Sequence, residues 1–243
     1  SDGYVSIFAL FSIIGISLGV AAIIIVMSVM NGFRIDLTNR IIGLNSHLNI
    51  YSFDNEITNK QADELILNID NSFFYQHYKS IETNGLIIKS NNSKGVMIKG
   101  YDEYDKNHYL FNSINMGALI QNPKSEILIG DSLANEMNLS VGDKVKIAIP
   151  KTDKTILGNI PRFKTLDVVG VFDLGLYEYD SNLIFLSSEL VRKLLLYDED
   201  IYNKIEFFTS SPNEIELFKN KVELETSNLL LNFYSISWKD QNK

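Results

Sequence analysis

Apolar residues dominate the first part of this chain, whereas the rest mixes short apolar runs with polar and charged positions. The run from Ile7 to Met30 is mostly apolar and contains no charged residue. At about 1.5 Å per residue, a helix of this length crosses a hydrocarbon core of about 30 Å. The run is also longer than the ~7–15 apolar residues typical of a signal peptide. We therefore predict a transmembrane helix in residues 1–33 and a separate domain in residues 34–243.

Small residues form a stripe along the predicted span. Gly15 and Gly19 make a G-x-x-x-G pattern, which Ser12 and Ala22 extend in both directions. Small residues at this spacing let a second membrane helix approach closely. The pattern favours a helix-packing face at Gly15 and Gly19. The alternative is that glycine and alanine are simply frequent in membrane spans.

The pattern after residue 34 predicts both strands and helices. Short alternating or apolar runs bounded by turn residues indicate strands, and longer runs of helical period indicate amphipathic helices. Because no regular strand–helix–strand rhythm appears, we predict an α+β fold. Ser211 and Glu214 have the spacing of a capping box, with Pro212 at the first helical position. Strands are predicted at 47–53, 85–90, 95–102, 126–131, 144–150, 165–172, 182–187, 204–210 and 229–237, and helices at 61–70, 132–138 and 187–197.

Composition excludes several classes of function. The chain has 243 residues, of which 45% are hydrophobic and 21% are charged, so it is long enough for a sizeable core. The formal net charge of −8 disfavours nucleic acid as a partner, because such binding relies on Lys and Arg neutralising phosphate. The sequence contains no cysteine, which excludes disulfides, thiol nucleophiles and cysteine-ligated metals.

Sequence motifs of catalysis are absent as well. The chain carries no P-loop, G-x-S-x-G, H-E-x-x-H or G-x-G-x-x-G pattern. His47, His77 and His108 lie far apart and share no motif. The acidic clusters at 102–105 and 198–200 lack the spacing of a calcium loop and are interpreted as solvated surface turns. We therefore predict no catalytic residue, no metal site and no cofactor.

The segment 151–164 stands out between two predicted strands. It is too long for a tight hairpin turn, and its apolar residues are Ile156, Leu157 and Ile160. Apolar side chains at a hairpin tip surrounded by charge are typical of an interaction surface. The alternative is that these aliphatic residues fold back onto the domain. The flanking charges are Lys151, Lys154, Arg162 and Lys164 against Asp153, a positive excess in an acidic protein.

Several stretches of the chain resemble the lipoprotein-releasing permeases of the Lol system (the LolC/LolE family, within the MacB/FtsX-type permease superfamily). The run GISLGVAAIIIVMSVMNGFRIDLTNRIIGLNSHL at 15–48 looks like the first span of such a permease and its exit, and SVMNGF at 28–33 is the most specific part. The resemblance covers nearly the whole chain. It continues through 95–100, 127–150, 168–187 and 235–243.

The resemblance implies a particular architecture and location. Permeases of this kind have a large periplasmic domain between the first and second spans, so further spans are expected beyond residue 243. Arg34 and Arg40 alone would favour a cytoplasmic location for the domain. The resemblance instead places residues from about 34 onward in the periplasm of a bacterium, with the helix in the inner membrane. It also implies a β-rich part and a mixed α/β part that is discontinuous in sequence.

The resemblance also implies a function and partners. It predicts a permease subunit of an ABC transporter that extracts lipoproteins from the inner membrane and hands them to a periplasmic carrier resembling LolA. The expected partners are a separate cytoplasmic ATPase subunit, a second permease copy or paralogue, lipoprotein substrates and membrane lipid. The chain itself is then a transporter subunit and not an enzyme.

Two sites follow from the resemblance. GNIPRF at 158–163 looks like the proline-bearing tip by which LolC-type members dock the carrier, with Gly158 and Asn159 reversing the chain and Pro161 preventing further strand pairing. Met27, Met30 and Phe33 are expected to contact the acyl chains of the lipoprotein. The predicted carrier-binding hook comprises Thr155, Ile156, Leu157, Gly158, Asn159, Ile160, Pro161 and Arg162.

Two other functions compete with this interpretation. One is a MacB/FtsX-like permease that transmits mechanical force from a cytoplasmic ATPase to another periplasmic partner. The other is a membrane-anchored periplasmic enzyme, which the lack of any nucleophile–base or metal motif disfavours. The choice between LolC, LolE and a permease with both roles stays open at this point.

Overall fold

The computed structural model describes residues 2–44, 46–69, 73–104, 108–155 and 158–241, and for residues 2–9, 36–44, 150–155 and 158–161 it describes the backbone. The chain divides into two units, Ser1–Gly43 and Leu44–Lys243. The first unit is helical. The second contains all of the strands among the described residues.

The first unit is a single long helix. Helix α1 runs without interruption over Asp2–Leu44. Its segment Leu10–Ile35 has 26 residues with a mean hydropathy of 2.7, and none of its most apolar stretch is buried. A helix that is apolar on every side is matched to a lipid environment. This element is therefore long and apolar enough to cross a membrane. The predicted boundary at residue 33 lies inside the helix and stays a prediction.

The second unit contains twelve strands and six helices among the described residues. Two short 3₁₀ turns, Tyr109–Ser113 and Pro212–Glu214, precede β5 and α6. The strands are β1 Leu48–Ser52, β2 Ile57–Thr58, β3 Gln76–Lys89, β4 Asn92–Tyr101, β5 Ile114–Gly117, β6 Glu126–Gly130, β7 Lys144–Thr155, β8 Gly158–Phe172, β9 Leu183–Ser187, β10 Ile201–Tyr202, β11 Lys204–Phe208 and β12 Phe233–Ser237. The helices are α2 Asn59–Asn68, α3 Asp131–Met137, α4 Tyr177–Asn182, α5 Ser188–Leu195, α6 Ile215–Asn228 and α7 Trp238–Gln241.

Six strands close into a ring. In order, β3 pairs with β4, β4 with β9, β9 with β6, β6 with β8 and β8 with β7, and β7 returns to β3. Ring closure removes the exposed edges that an open sheet would leave. Aliphatic side chains such as Ile87, Ile98, Ile147, Val168 and Ile184 are fully buried in its core, against which α3 and α5 also pack. This ring is the β-rich part of the domain.

A second core forms where the sheet continues past the ring. Strands β11, β1 and β12 follow β3 in order, all antiparallel. Helices α2 and α6 cover one face of these strands, because Leu65 and Phe218 join Leu48, Ile50 and Ile205 in one buried cluster. The residues of this core come from 48–74 and 205–238, on both sides of the ring in sequence. The mixed α/β part is thus discontinuous, and the predicted α+β fold with one N-terminal apolar helix is confirmed.

Local boundaries differ from the predicted ones in three places. Strand β3 starts at Gln76 rather than at 85, because its first half is a polar run that faces other polar groups. The Ser211 side chain caps no helix: Pro212–Glu214 forms a 3₁₀ turn, and α6 begins at Ile215. A reciprocal capping box instead occurs at Thr58 and Gln61, at the start of α2.

A buried ion network lies where β3 leaves the α/β core and enters the ring. Glu206 on β11 is 1% exposed, and its Oε1 lies 3.0 Å from Lys204 Nζ and 3.3 Å from Lys99 Nζ. The Tyr101 hydroxyl donates to Glu206 Oε2 over 2.6 Å, and Lys204 Nζ also lies 3.0 Å from Glu82 Oε2. Two lysines and two glutamates balance in charge. This pairing is what makes burial of the carboxylate tolerable.

The pKa of Glu206 records this balance. Burial alone would raise the pKa, but Lys99, Lys204 and the Tyr101 hydrogen bond lower it to about 2, from an ordinary value of 4.5. In Lys204, burial would lower the pKa, but Glu206 and Glu82 raise it above its ordinary range. Both groups are therefore charged at neutral pH.

We predict that Glu206→Gln destabilises the domain by roughly 3 kcal/mol at pH 7, because Lys99 and Lys204 lose their buried counter-charge. The folded pKa lies below the unfolded value, so this contribution is present above pH 4.5 and is lost as the pH falls from 4.5 towards 2. Urea unfolding of residues 44–243 at several pH values measures both effects. The exposed Glu178→Gln serves as the control. An equal pH dependence in wild type and Glu206→Gln would contradict the assignment.

Candidate functional site

The predicted site residues on α1 share one side of the helix. At about 100° per residue, Gly15, Gly19, Met27, Met30 and Phe33 fall within an arc of about 120°. More than half of the surface of each of the two Met side chains and of Phe33 is exposed. A Cβ placed on either glycine meets no atom within 4 Å. Within the described part of the chain this face is open to another helix or to lipid.

The predicted hook is the outer part of the β7–β8 hairpin. Backbone pairing runs from Lys144 opposite Asp167 to Ile149 opposite Arg162, and then the register shifts. Pairing resumes at Thr152 opposite Pro161 and continues to Thr155 opposite Gly158.

Two details of the predicted hook are therefore wrong. Gly158 and Asn159 belong to strand β8 rather than to the reversal, which falls at 156–157. Pro161 does not end the pairing, because the shift in register next to it accommodates a residue that has no N–H. Ile156 and Leu157 lie outside the described residues, as do the side chains of Thr155, Gly158, Asn159, Ile160 and Pro161.

The hairpin leaves the ring as a two-stranded ribbon. The described partners of β7 in the ring are residues 86–88 of β3, opposite Lys146–Ala148, and β8 meets β6 from Asp167 onward. Beyond Ile149 and Arg162 the described pairing of each strand is with the other. At about 3.3 Å per residue, the six residues from 150 to 155 extend for about 20 Å. The hairpin is thus long enough to present its tip away from the ring.

Apolar and basic residues surround the base of this ribbon. Leu86, Ala148 and Phe163 lie side by side in neighbouring strands, and Leu86 is 46% and Phe163 54% exposed. Lys164 is exposed next to them. Sequence reasoning missed Leu86, and it left Phe163 out of the predicted hook. Neighbouring strands bring the two together, so no local pattern could have paired them.

The Arg162 guanidinium ties the ribbon to α5. Its Nη1 donates to the Lys193 carbonyl oxygen in the last turn of α5, over 3.0 Å. This bond also satisfies a carbonyl at a helix end, where intrahelical partners are missing. Helix α5 therefore supports the hairpin at the point where it leaves the ring.

Helix α5 is in turn held by a cluster around Asp102. Arg192 is 8% exposed, and its Nη2 donates to Asp102 Oδ1 over 2.7 Å and to Ser188 Oγ over 2.8 Å. The Ser188 and Tyr202 hydroxyls also donate to Asp102. Burial and the bond to Asp102 raise the pKa of Tyr202, so its hydroxyl stays protonated. The interpretation of Asp102 as a solvated turn residue is wrong, because it joins β10 to α5.

The three histidines have structural surroundings. His47 Nδ1 accepts from the Thr209 backbone N–H over 2.8 Å, and His108 Nδ1 accepts from the Leu110 N–H. Burial lowers the pKa of His77. Among the side chains that the structure describes, no three His, Asp or Glu residues converge as a metal site requires.

The architecture defines a class of protein. Its fold is similar to the extracellular domain of the noncanonic ABC-type transporter YknZ from Gram-positive bacteria, with a TM-score of 0.52 and 13% identity over 79% of this chain and 100% of that one. It is similar also to the periplasmic region of MacB from Actinobacillus actinomycetemcomitans, with a TM-score of 0.51 and 14% identity over 82% of this chain and 92% of that one. The fold is thus that of the extracytoplasmic domains of ABC-type transporters.

The sequence assigns the chain to a family within this class. Residues 9–223 match the MacB-like periplasmic core domain, and the chain belongs to that family. It is 28% identical to the lipoprotein-releasing system transmembrane protein LolC of Neisseria meningitidis, over 82% of this chain and 49% of that protein. It is 26% identical to LolE of Haemophilus influenzae, over 86% of this chain and 51% of that protein. The resemblance to LolC/LolE permeases is confirmed, and the chain spans about half the length of these relatives.

We predict that Asp102→Asn destabilises the domain by about 2 kcal/mol, because the buried Arg192 loses its counter-charge. The figure lies below that for a fully buried pair because Asp102 is itself partly exposed. Urea unfolding of residues 44–243 measures the loss. The matched control is Asp167→Asn, which breaks an exposed pair with Lys144 and should change the stability little. Equal stabilities of the two variants would show that the cluster does not hold α5.

Proposed function

We propose that this chain is the first span and periplasmic domain of a permease subunit that extracts lipoproteins from the bacterial inner membrane and passes them to a periplasmic carrier. The single observation that carries the proposal is the two-stranded ribbon of β7 and β8 beyond the ring, in a chain similar to LolC over 82% of its length. The ribbon coincides with the segment whose sequence resembles the carrier-docking tip of LolC-type members. The proposal therefore favours a LolC-like role over a LolE-like one.

The energetics of the cargo require a source of work. At about 0.8 kcal/mol per buried methylene, withdrawing three long acyl chains from a bilayer costs on the order of 30 kcal/mol before compensation. Uncoupled release would be negligibly slow. We propose that ATP hydrolysis occurs in a separate cytoplasmic subunit and that a second permease copy or paralogue completes the membrane part. The present chain then acts as a transporter subunit without catalysis of its own.

We propose that the hook Thr155–Arg162 docks the carrier and that its base assists. Leu86 and Phe163 offer an exposed apolar row, and Arg162 is fixed by α5. An apolar contact supplies affinity, whereas basic residues around it attract an acidic rim and mainly raise the association rate. Lys151, Lys154, Arg162 and Lys164 are the basic residues in question.

We propose that the shared face of α1 has two uses along its length. Gly15 and Gly19 would let another span pack closely, because their lack of side chains allows short interhelical distances. Met27, Met30 and Phe33 would contact acyl chains near the outer end of the span. Methionine adapts to irregular apolar shapes, which suits chains of mixed length.

A second candidate function is mechanical transmission from a cytoplasmic ATPase to a different periplasmic partner. Its support is the fold shared with the MacB and YknZ domains. The two functions use the same rigid domain and differ in what the ribbon binds. Binding of a lipoprotein carrier by the ribbon therefore distinguishes them.

We predict that deleting residues 155–162 abolishes binding of residues 44–243 to the LolA-like carrier of the same bacterium. Ile160→Asp should weaken binding at every salt concentration, because it places a charge in an apolar contact. The double change Lys154→Glu and Lys164→Glu should slow association mainly at low salt, where charge attraction is poorly screened. Surface plasmon resonance measures both rates. Lys239→Glu, on α7, is the control for added negative charge. Unchanged affinity and association rate after the deletion would rule out the hook.

We predict that photo-crosslinkers at Met27, Met30 and Phe33 capture lipoprotein when the whole transporter is assembled in membranes. Crosslinkers at Gly15 and Gly19 should instead capture another membrane helix, because close packing leaves no room for an acyl chain there. Mass spectrometry of the adducts reads out both results. Capture of neighbouring helices alone at all five positions would contradict the acyl-contact assignment.

A further inference from the structure

A groove of about 310 Å³ opens between α2 and α6 in the α/β part, and it shares no residue with the hook or its base. The floor of the groove is the hydrophobic core itself. Ile69, Phe74, Phe218 and Val222 line it and are buried members of the α/β cluster. Phe73 lies against Phe218, with ring centroids 4.9 Å apart. The groove is thus a slot into the core between two helices.

A cation lies at the rim of this slot. Lys221 on α6 lines the groove, and its Nζ lies 3.8 Å from the centroid of the Phe73 ring. Within the described part of the chain, Lys221 forms no ion pair. By contrast, Lys219 on the same helix pairs with Asp240 over 2.8 Å. The ammonium of Lys221 is therefore available for an anion from outside, and the aromatic face beneath it holds it at the rim.

Size and lining select the shape of an occupant. A volume of about 310 Å³ lies at the lower end of small-molecule sites. It holds about ten groups of roughly 30 Å³ each, the volume that one water molecule occupies in the liquid. A stable protein partner would need an interface on the order of 1,000 Å² or more, which a slot of this size cannot seat. The apolar lining disfavours a polar chain, whose buried groups would lack hydrogen bonds.

We propose that the α2–α6 groove binds a single aliphatic chain of about ten carbons that carries an anionic head group, with the chain on the phenylalanine-lined floor and the head group at Lys221. A free fatty acid and a single-chain anionic phospholipid share this chemistry. The site goes beyond the proposed transport function.

Isothermal titration calorimetry of residues 44–243 tests the site with octanoate, decanoate and decanol below their micelle concentrations. Both hydrophobic cores lie inside this unit, and the similar extracellular domain of YknZ was crystallised as a separate chain. Decanoate should bind more tightly than octanoate by up to about fourfold for each added methylene. Decanoyl lysophosphatidylglycerol forms a further arm, and the tighter of the two ten-carbon anions identifies the source.

Two exposed positions on α6 separate the contributions of head group and chain. Lys221→Gln should weaken decanoate about two- to fivefold and leave decanol unchanged, as expected for an exposed ion pair. Leu224→Ser, at the groove wall, should weaken both probes. Lys60→Gln on α2 lies outside the lining and should change neither. No saturable binding by any probe, or equal binding by wild type and Leu224→Ser, would overturn the proposal. The carrier-binding result does not affect this test, because groove and hook share no residue.

Discussion

The domain depends on one strand that belongs to two cores. The first half of β3 pairs with β11 in the α/β part, and its second half pairs with β7 and closes the ring. Glu206 lies beside the change from one core to the other, with Lys99 and Lys204 as counter-charges. A separation of the two parts along β3 would leave these charges buried and unpaired, at a cost of several kcal/mol. The network therefore favours movement of both parts as one body.

The same strand also determines where the hook begins. Strand β7 pairs with β3 through residues 146–148 and then continues outward as half of the ribbon. Arg162 fixes the other half to α5, and Asp102 holds α5 through Arg192. The hairpin base is thus supported by strand pairing on one side and by a helix on the other. A surface that is fixed in direction loses less entropy on binding than a loose one.

The apolar pattern predicted much of the fold but little of its closure. The uninterrupted run around Ile7–Met30 predicts α1, and apolar runs predict most ring strands, because burial leaves a local signature. The first half of β3 carries no such signature, since Ser80 and Glu82 face polar groups from strands distant in sequence. Ring closure, the Asp102 cluster and the α2–α6 groove each join segments that no local pattern connects. The hook position followed from the resemblance, whereas its pairing beyond Pro161 required the structure.

Divergence among relatives follows from this division of labour. The two similar structures share 13% and 14% identity with this chain and still have the same fold. Cores tolerate many apolar substitutions provided that volume and pattern are kept, so the ring and the α/β part can diverge without losing their geometry. The ribbon lies outside both cores, and for this reason its residues can change with little effect on the fold. A family built in this way can keep one rigid domain and change its partner through the ribbon alone. Partner specificity is then to be sought in residues 150–163 rather than in the ring.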